Sequence, residues 1–387
     1  MMPIDSLSLI SIASYLILWV VTAISMPRQS LNFRGRVSIG CLLAGTLVAY
    51  SAATPPVFLL GWTLTVLPYL RDWSAKGNGS RIALLASLVL VATGNAPLAL
   101  WLGNSGTMLA VLALVLATLL RMGIFPFHFW VLDAFESTSL PTLSLLLNSH
   151  LGAYLLIRFV IPLHPTMAVS AAPALSILAM FTSVFMAVAA LAEKRPRRLL
   201  GLLCISQSAF ILAGLANQTV QGITGALVQW WVVAFAMTGM VTVYVALEAR
   251  HSGVHAPNGF LGLGSHAPRL AVFFAVCGLA LVGLPGTLGF VAEDLLFHGA
   301  LSAHPWLGLA LPLATALNAI TVLRLFAVLF LGRRAIHTVP IPDAQPRETL
   351  ALAVVVVLLV SGGLMPGILI DLRTPSANAL AGFLSSR

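Results

Sequence analysis

Twelve apolar runs, each long enough to be read as a membrane span, recur from one end of this chain to the other, and they constrain the fold more than any motif does. A helix of about 20 apolar residues matches the hydrocarbon thickness of a bilayer. The runs lie near residues 7–25, 37–53, 56–70, 82–102, 106–136, 139–163, 172–192, 199–217, 220–247, 268–301, 306–331 and 349–371. In lipid each backbone polar group must be satisfied inside its own segment, so runs of this kind form helices. The expected fold class is an all-α polytopic membrane protein with about 12 transmembrane helices. Composition agrees: 59% of residues are hydrophobic and only 8% are charged, where a soluble domain carries about 25% charged residues.

The formal net charge of +9 raises the question of a nucleic-acid partner, and the placement of the basic residues answers it. Arg28, Arg34, Arg36, Arg71, Lys76, Arg81, Lys194, Arg195, Arg197, Arg198, Arg250, Arg269, Arg333, Arg334 and Arg347 all fall in alternate connections between spans. The intervening short connections carry none, which is the positive-inside pattern. It predicts both termini on the outer side of a cell's inner membrane, and no nucleic-acid partner. The first run lacks a basic leader and a small-residue cleavage site, so it is read as a retained helix. Cys41, Cys204 and Cys277 stand singly in apolar runs, a pattern of packing residues rather than of disulfides or metal ligands.

Two runs, 106–136 and 268–301, are too long for one straight span. Each is interrupted by glycine and proline, at "GIFPFH" with Pro126 and at "GLPGTLGF" with Pro285 and Gly286. A broken helix persists in a bilayer only where protein or a water-filled cavity satisfies the freed backbone. The breaks fall at matching places in two sets of five spans that enter from opposite sides, the layout of an inverted repeat. This divides the chain into an N-terminal helix and loop (1–34), a first five-helix repeat (35–163), a second (164–335), and a C-terminal helix and tail (336–387).

Ionisable residues within membrane spans are rare and default to functional candidates. Here they are Arg121, His128, Asp133, Glu136, His150, Glu293, Asp294, His298 and Arg324. Glu293 follows the second break, where a desolvated carboxyl can exchange protons near neutral pH; alternatively it and Asp294 pair with a neighbour such as Arg324. His150, in mid-span, reads as a proton relay or as a hydrogen-bonded packing residue. Arg121 cannot practically lose its proton, so it acts as a fixed charge or reaches toward the interface. Arg158, near a span end, reads as a snorkelling residue. No residue spacing calls for a metal, and no phosphate loop or catalytic triad is present, so no cofactor is expected.

These same residues carry a family resemblance. "RMGIFPFHFWVLDAFE" resembles the Lys-x-x-x-x-Pro-Leu/Phe-His-x-Trp-x-Pro-Asp-Ala motif of the antiporter-like, proton-translocating membrane subunits of respiratory complex I, membrane-bound hydrogenases, Mrp antiporters and DAB-type inorganic-carbon complexes. "GLPGTLGFVAED" resembles that family's second broken helix, and "LAEKRPRRLLGLLCISQSAFILAGL" its Lys-Arg segment. The resemblance covers roughly residues 35–335. It implies that Glu293 occupies the proton-exchanging position of the second half, His150 the link between half-channels, and Arg121 the central lysine of the first half. The acidic partner of that lysine falls at about Thr63 and is missing, and Val233 stands where relatives carry a polar histidine. The N-terminus is also about two helices shorter than in the fourteen-helix members.

The resemblance implies a proton-conducting or proton-coupled subunit of a larger membrane complex, not catalytic alone but part of a quinone-oxidoreductase-like or hydrogenase-like translocase. A DAB-type subunit energising a cytoplasmic carbonic-anhydrase-like partner and a non-conducting structural subunit remain as alternatives. A free-standing secondary transporter is a further one. Partners expected are other membrane subunits, a cytoplasmic soluble subunit docking on "FHFWVLDAFESTS" and the basic loops, and the lipid bilayer. The ion is H⁺ or Na⁺, with the few buried carboxylates favouring protons.

Overall fold

The computed structural model describes residues 4–27, 30, 32–71, 78–96, 98–255, 257, 259–303, 305–332 and 342–385. Among the described residues the regular structure is helical, with no strand. The helices are α1 (Ile4–Ser25), α2 (Phe33–Ser51), α3 (Pro55–Arg71), α4 (Asn78–Asn95), α5 (Leu98–Met122), α6 (Phe129–Ser137), α7 (Leu140–Asn148), α8 (Leu151–Leu155) and the one-turn α9 (Ile161–Leu163). There follow α10 (Pro165–Ala192), α11 (Pro196–Ala216), α12 (Val220–Glu248), α13 (Pro268–Leu281), α14 (Leu288–Ala303), α15 (Pro305–Phe330), α16 (Pro346–Leu364) and α17 (Pro366–Ser385). Eight described helical stretches are long and apolar enough to cross a membrane, and 55–70, 79–95 and 268–281 are shorter apolar helices. The expected basic loop residues Arg28, Lys76, Arg333 and Arg334 lie outside the described residues.

The stretches Pro196–Ala216 and Val220–Glu248, α11 and α12, are the buried centre. Both are largely apolar on every face, which suits a helix enclosed on all sides. Around them α1, α4, α10, α15 and α16 turn large apolar side chains outward, among them Leu9, Ile82, Phe181, Leu313 and Val357. Lipid accepts such faces at no cost, whereas water would not.

Both anticipated breaks are present, and they share one geometry. α5 ends with Ile124 N–H donating to Leu119 O (2.9 Å) and Gly123 N–H to Leu120 O (3.2 Å), followed by a turn closed from Phe127 N–H to Ile124 O. α13 ends with Leu284 N–H donating to Leu279 O (3.0 Å) and Gly283 N–H to Ala280 O (3.4 Å), with Thr287 N–H closing on Leu284 O. This is the paired 6→1 and 5→2 bonding of a Schellman cap. It requires a left-handed residue, supplied by Gly123 (φ 70°) and Gly283 (φ 71°). Every residue of the second pattern lies 160 places after its counterpart in the first.

Neighbouring side chains satisfy the backbone freed at the first break, as a bilayer demands. Trp130 Nε1 donates to Leu120 O (2.6 Å) and Thr182 Oγ1 accepts from Phe125 N–H (3.2 Å); at the far end of α6, Arg197 Nη1 donates to Phe135 O and Glu136 O.

The structure adds two features that the hydropathy pattern concealed. The run 139–163 is itself interrupted, because His150 takes a left-handed conformation (φ 45°) between α7 and α8 and a π turn (Leu156–Val160) follows. The last run does not continue to 371. It stops at Met365, and α17 returns from there to pack against α12, α1 and α10.

Candidate ion-path site

Arg121 lies at the end of α5, two residues before the left-handed Gly123, and is 3% exposed. Its Nη2 donates to Thr65 Oγ1 on α3 (2.9 Å), and its guanidinium lies 4.9 Å from the Trp62 ring centroid. Nε and Nη1 have no hydrogen-bond partner among the described residues. The partner is thus Thr65 rather than Thr63, whose hydroxyl turns back to Leu59 O of its own helix (2.7 Å). Two residues along a helix are about 200° apart around the axis, so only one of the pair can face Arg121.

His150 is also buried, with no partner for Nε2 among the described residues and its ring edge-on to Trp230 at 5.5 Å. Its left-handed turn is held from α2, where the Tyr50 hydroxyl donates to Ser149 O while Tyr154 Oη donates to Tyr50 O (2.7 Å). Arg121 and His150 line the same small enclosed cavity together with Cys204 and Ser208 of α11.

Glu293 lies on the first turns of α14, folded back under the second break. A Cβ added to Gly283 would sit 2.4 Å from its Oε2; Oε1 makes no hydrogen bond of ordinary length among the described residues, and the Thr315 hydroxyl lies beside the carboxyl. Asp133 holds the position 160 residues earlier, behind the first break. It is half-buried, and Oδ2 has no hydrogen-bond partner among the described residues.

The core also holds a row of three separate hydrogen-bonded sets of buried neutral polar groups. Asn148 Nδ2 donates to Thr238 Oγ1 and Ser144 Oγ (both 2.9 Å), Gln229 Nε2 to Gln207 Oε1 (2.8 Å), and Asn318 Nδ2 to Ser206 Oγ (2.8 Å). Val233 lies one turn beyond Gln229, fully buried and apolar. Such a row can carry a proton through hydroxyls, amides and intervening waters.

The other sequence candidates lie elsewhere. Asp294 is exposed on α14 and paired along the helix with His298 (3.5 Å), so it does not join Glu293. Adjacent residues on a helix diverge by about 100°, which turns Asp294 outward when Glu293 points in. Arg324 meets neither acid: its Nη2 donates to Ala190 O (2.6 Å) and Glu193 O (2.7 Å), and Nη1 donates to Leu191 O, capping the end of α10. His128 stacks among Phe125, Phe129 and Phe185 in the loop of the first break. Pro126 and the Pro285–Gly286 pair are exposed on the turns themselves.

A family profile described as NADH:quinone oxidoreductase/Mrp antiporter, TM, matches residues 78–318. The chain belongs to this family. An NAD(P)H-quinone oxidoreductase chain 4 of a Synechococcus strain is 25% identical over 89% of this chain and 70% of its own length. An NADH-quinone oxidoreductase subunit N of Roseiflexus castenholzii is 32% identical over 65% of this chain and 52% of its own length. In structure the chain resembles a subunit of respiratory complex I from Thermus thermophilus (TM-score 0.84, 23% identity, 100% of this chain and 86% of the other). It also resembles a subunit of the Mrp complex of a Dietzia species (TM-score 0.80, 17% identity, 98% and 84%). The fold is therefore that of the antiporter-like membrane subunits.

One buried ionisable residue escaped the sequence reading. Arg373 of α17 is completely buried, lies 4.2 Å from the Trp231 ring centroid, and has no hydrogen-bond partner for Nε, Nη1 or Nη2 among the described residues. Its signal was present, since "PGILIDLRTPSANALAGFLSS" is mostly apolar around that arginine. Hydropathy alone merges this segment's start with the preceding span through Pro366, which hides it as a separate helix.

Proposed function

We propose that this chain is the proton-conducting membrane subunit of a respiratory-type complex, coupling ion flow across the membrane to the reaction of its partners. The observation that carries the reading is the pair of equivalent breaks, each with a carboxylate 10 residues after its left-handed glycine: Asp133 after Gly123 and Glu293 after Gly283. At the second break the carboxyl of Glu293, drawn out of water beside Gly283, is poised to take up and release a proton. In this reading protons move between Glu293 and the Arg121–His150 cavity along Gln207, Gln229, Ser206 and Asn318. Arg121 sets the potential along the path without itself titrating.

The equal hydrogen-bonding pattern also supports two inverted five-helix repeats, 35–163 and 164–335, flanked by 1–34 and 336–387. With the basic connections inside, this gives twelve spans and both termini on the outer side of the inner membrane. Relatives named as quinone-oxidoreductase chains favour a respiratory partner set, with a cytoplasmic soluble subunit as a further member; the inorganic-carbon setting gains no support from the comparisons.

A second reading, a structural subunit that has lost pumping, is favoured by one observation: Arg121, which the resemblance puts at the family's lysine position, faces Thr65 instead of a carboxylate. One experiment separates the two. The complex, purified and reconstituted in liposomes with a trapped pH-sensitive dye, conducts protons in the wild type and loses at least tenfold of that flux as Glu293→Gln. Undiminished flux in the variant overturns the conducting role of Glu293.

A further inference from the structure

The electrostatics around Arg121 are incomplete. Its charge is permanent and its guanidinium is 3% exposed. The ionisable groups close enough to act on it are Tyr69 and Tyr15, phenols rather than carboxylates. One nitrogen donates to Thr65 and the Trp62 ring covers part of the cation, while Nε and Nη1 donate to nothing among the described residues. A buried cation in this state is strongly unfavourable unless something neutralises it.

The cavity beside it fits an occupant of opposite sign. It is lined by the Arg121 guanidinium, the ring of His150 with its unpartnered Nε2, the hydroxyl of Ser208 and the thiol of Cys204. Each of these can donate a hydrogen bond, and no carboxylate lines the cavity. The remaining lining is apolar, including Val131 and Leu147. The space is that of about one water-sized body, too small for a phosphate or sulfate.

We propose that the Arg121–His150 cavity binds one small monovalent anion of the halide class, which stands where a side-chain carboxylate would otherwise neutralise the buried arginine. The anion completes the charge pair from solution instead of from the sequence. It deepens the ion-path reading and rests on that reading for its purpose: the anion would set the field in which His150 and the path operate. Binding itself requires only the cavity and the arginine.

The test is thermal unfolding of the purified full-length protein in sodium chloride, sodium bromide or sodium gluconate at equal ionic strength. Wild type is expected to gain about 3 °C, saturably, as chloride or bromide replaces gluconate, the size of shift expected for a ligand at roughly ten times its Kd. Thr65→Asp places a carboxylate of similar volume against Nη2 and should abolish the halide response. Crystals grown in bromide should show an anomalous peak in the cavity, a readout that stands even where the variant does not fold. Coincident wild-type melting in all three salts with no bromide peak means that water alone fills the cavity and overturns the proposal. So does a Thr65→Asp protein that keeps the full halide response. Proton flux is read separately: a saturable halide shift alongside undiminished flux in Glu293→Gln removes the ion path and leaves the anion site standing.

Discussion

Gly283 is where two demands on one residue meet. Its φ of 71° belongs to the left-handed region, and a Cβ there would lie 2.4 Å from Glu293 Oε2. Gly123 has the same φ, but its Cβ would meet the end of the flexible Val131 side chain at 2.7 Å. Alanine at either position incurs about 1–3 kcal/mol for the conformation. Gly283→Ala must in addition displace the carboxyl, so it should cut proton flux several-fold more than Gly123→Ala at a similar loss of Tm, measured side by side in liposomes. Arg373 makes the opposite trade. Three unpartnered donors in the core outweigh the stacking on Trp231, and replacing a buried charge by an apolar side chain of similar length is commonly neutral or stabilising by about 1–4 kcal/mol. Arg373→Met should therefore melt at or above the wild type; a clear fall in Tm would show that the guanidinium has a partner from outside the chain.

At the scale of helices, the sequence announced some features and hid others for physical reasons. Glycine and proline are the residues a Schellman-capped break requires, so both breaks were legible at Gly123–Pro126 and Gly283–Gly286. His150 was not legible as an interruption, because neither it nor Ser149 is a breaker. The turn exists because Tyr50 of another helix accommodates it. The row Ser206, Gln207, Gln229, Asn318 was equally silent, since neutral polar residues within apolar runs read as ordinary packing until two helices are seen face to face. The α11–α12 contact illustrates the consequence. Gln229→Leu strands the Gln207 amide in the core and should lower stability by about 1–3 kcal/mol, whereas the double substitution of both glutamines by leucine should recover most of that loss. Both variants should slow proton flux, so stability and conduction separate within one pair of helices.

For the molecule as a whole, arginines at one end tie helices that are distant in sequence. Arg197 bridges Glu248 (2.6 Å), Arg195 and Arg198 reach Glu136 (2.5 and 3.4 Å), and Arg250 bridges Glu348 (2.6 Å), joining α6, α11, α12 and α16. Glu193, just past α10, enters the same network. Its Oε1 accepts the backbone N–H of Lys194 (2.9 Å) and of Arg195 (3.0 Å), and its Oε2 lies 2.9 Å from Arg198 Nε. Burial works against its charge, yet these N–H bonds and the Arg195 and Arg198 guanidiniums hold its carboxyl below the usual carboxylate range. A group depressed in the folded state stabilises the fold above its unfolded pKa, about 4.3 for glutamate, and that stabilisation disappears as pH falls through the lower folded value. The pair is partly solvated, so the effect is modest. Glu193→Gln should lower Tm by about 2 °C at pH 7, a difference that shrinks as pH falls below about 4.3 and vanishes only below the lower folded value. Arg324→Leu, which uncaps the same end of α10 by removing donors to three carbonyls, should lower Tm at both pH values, because hydrogen bonds from a permanent cation to carbonyls do not titrate. A Glu193→Gln deficit that persisted in acid would place the loss in packing rather than in charge.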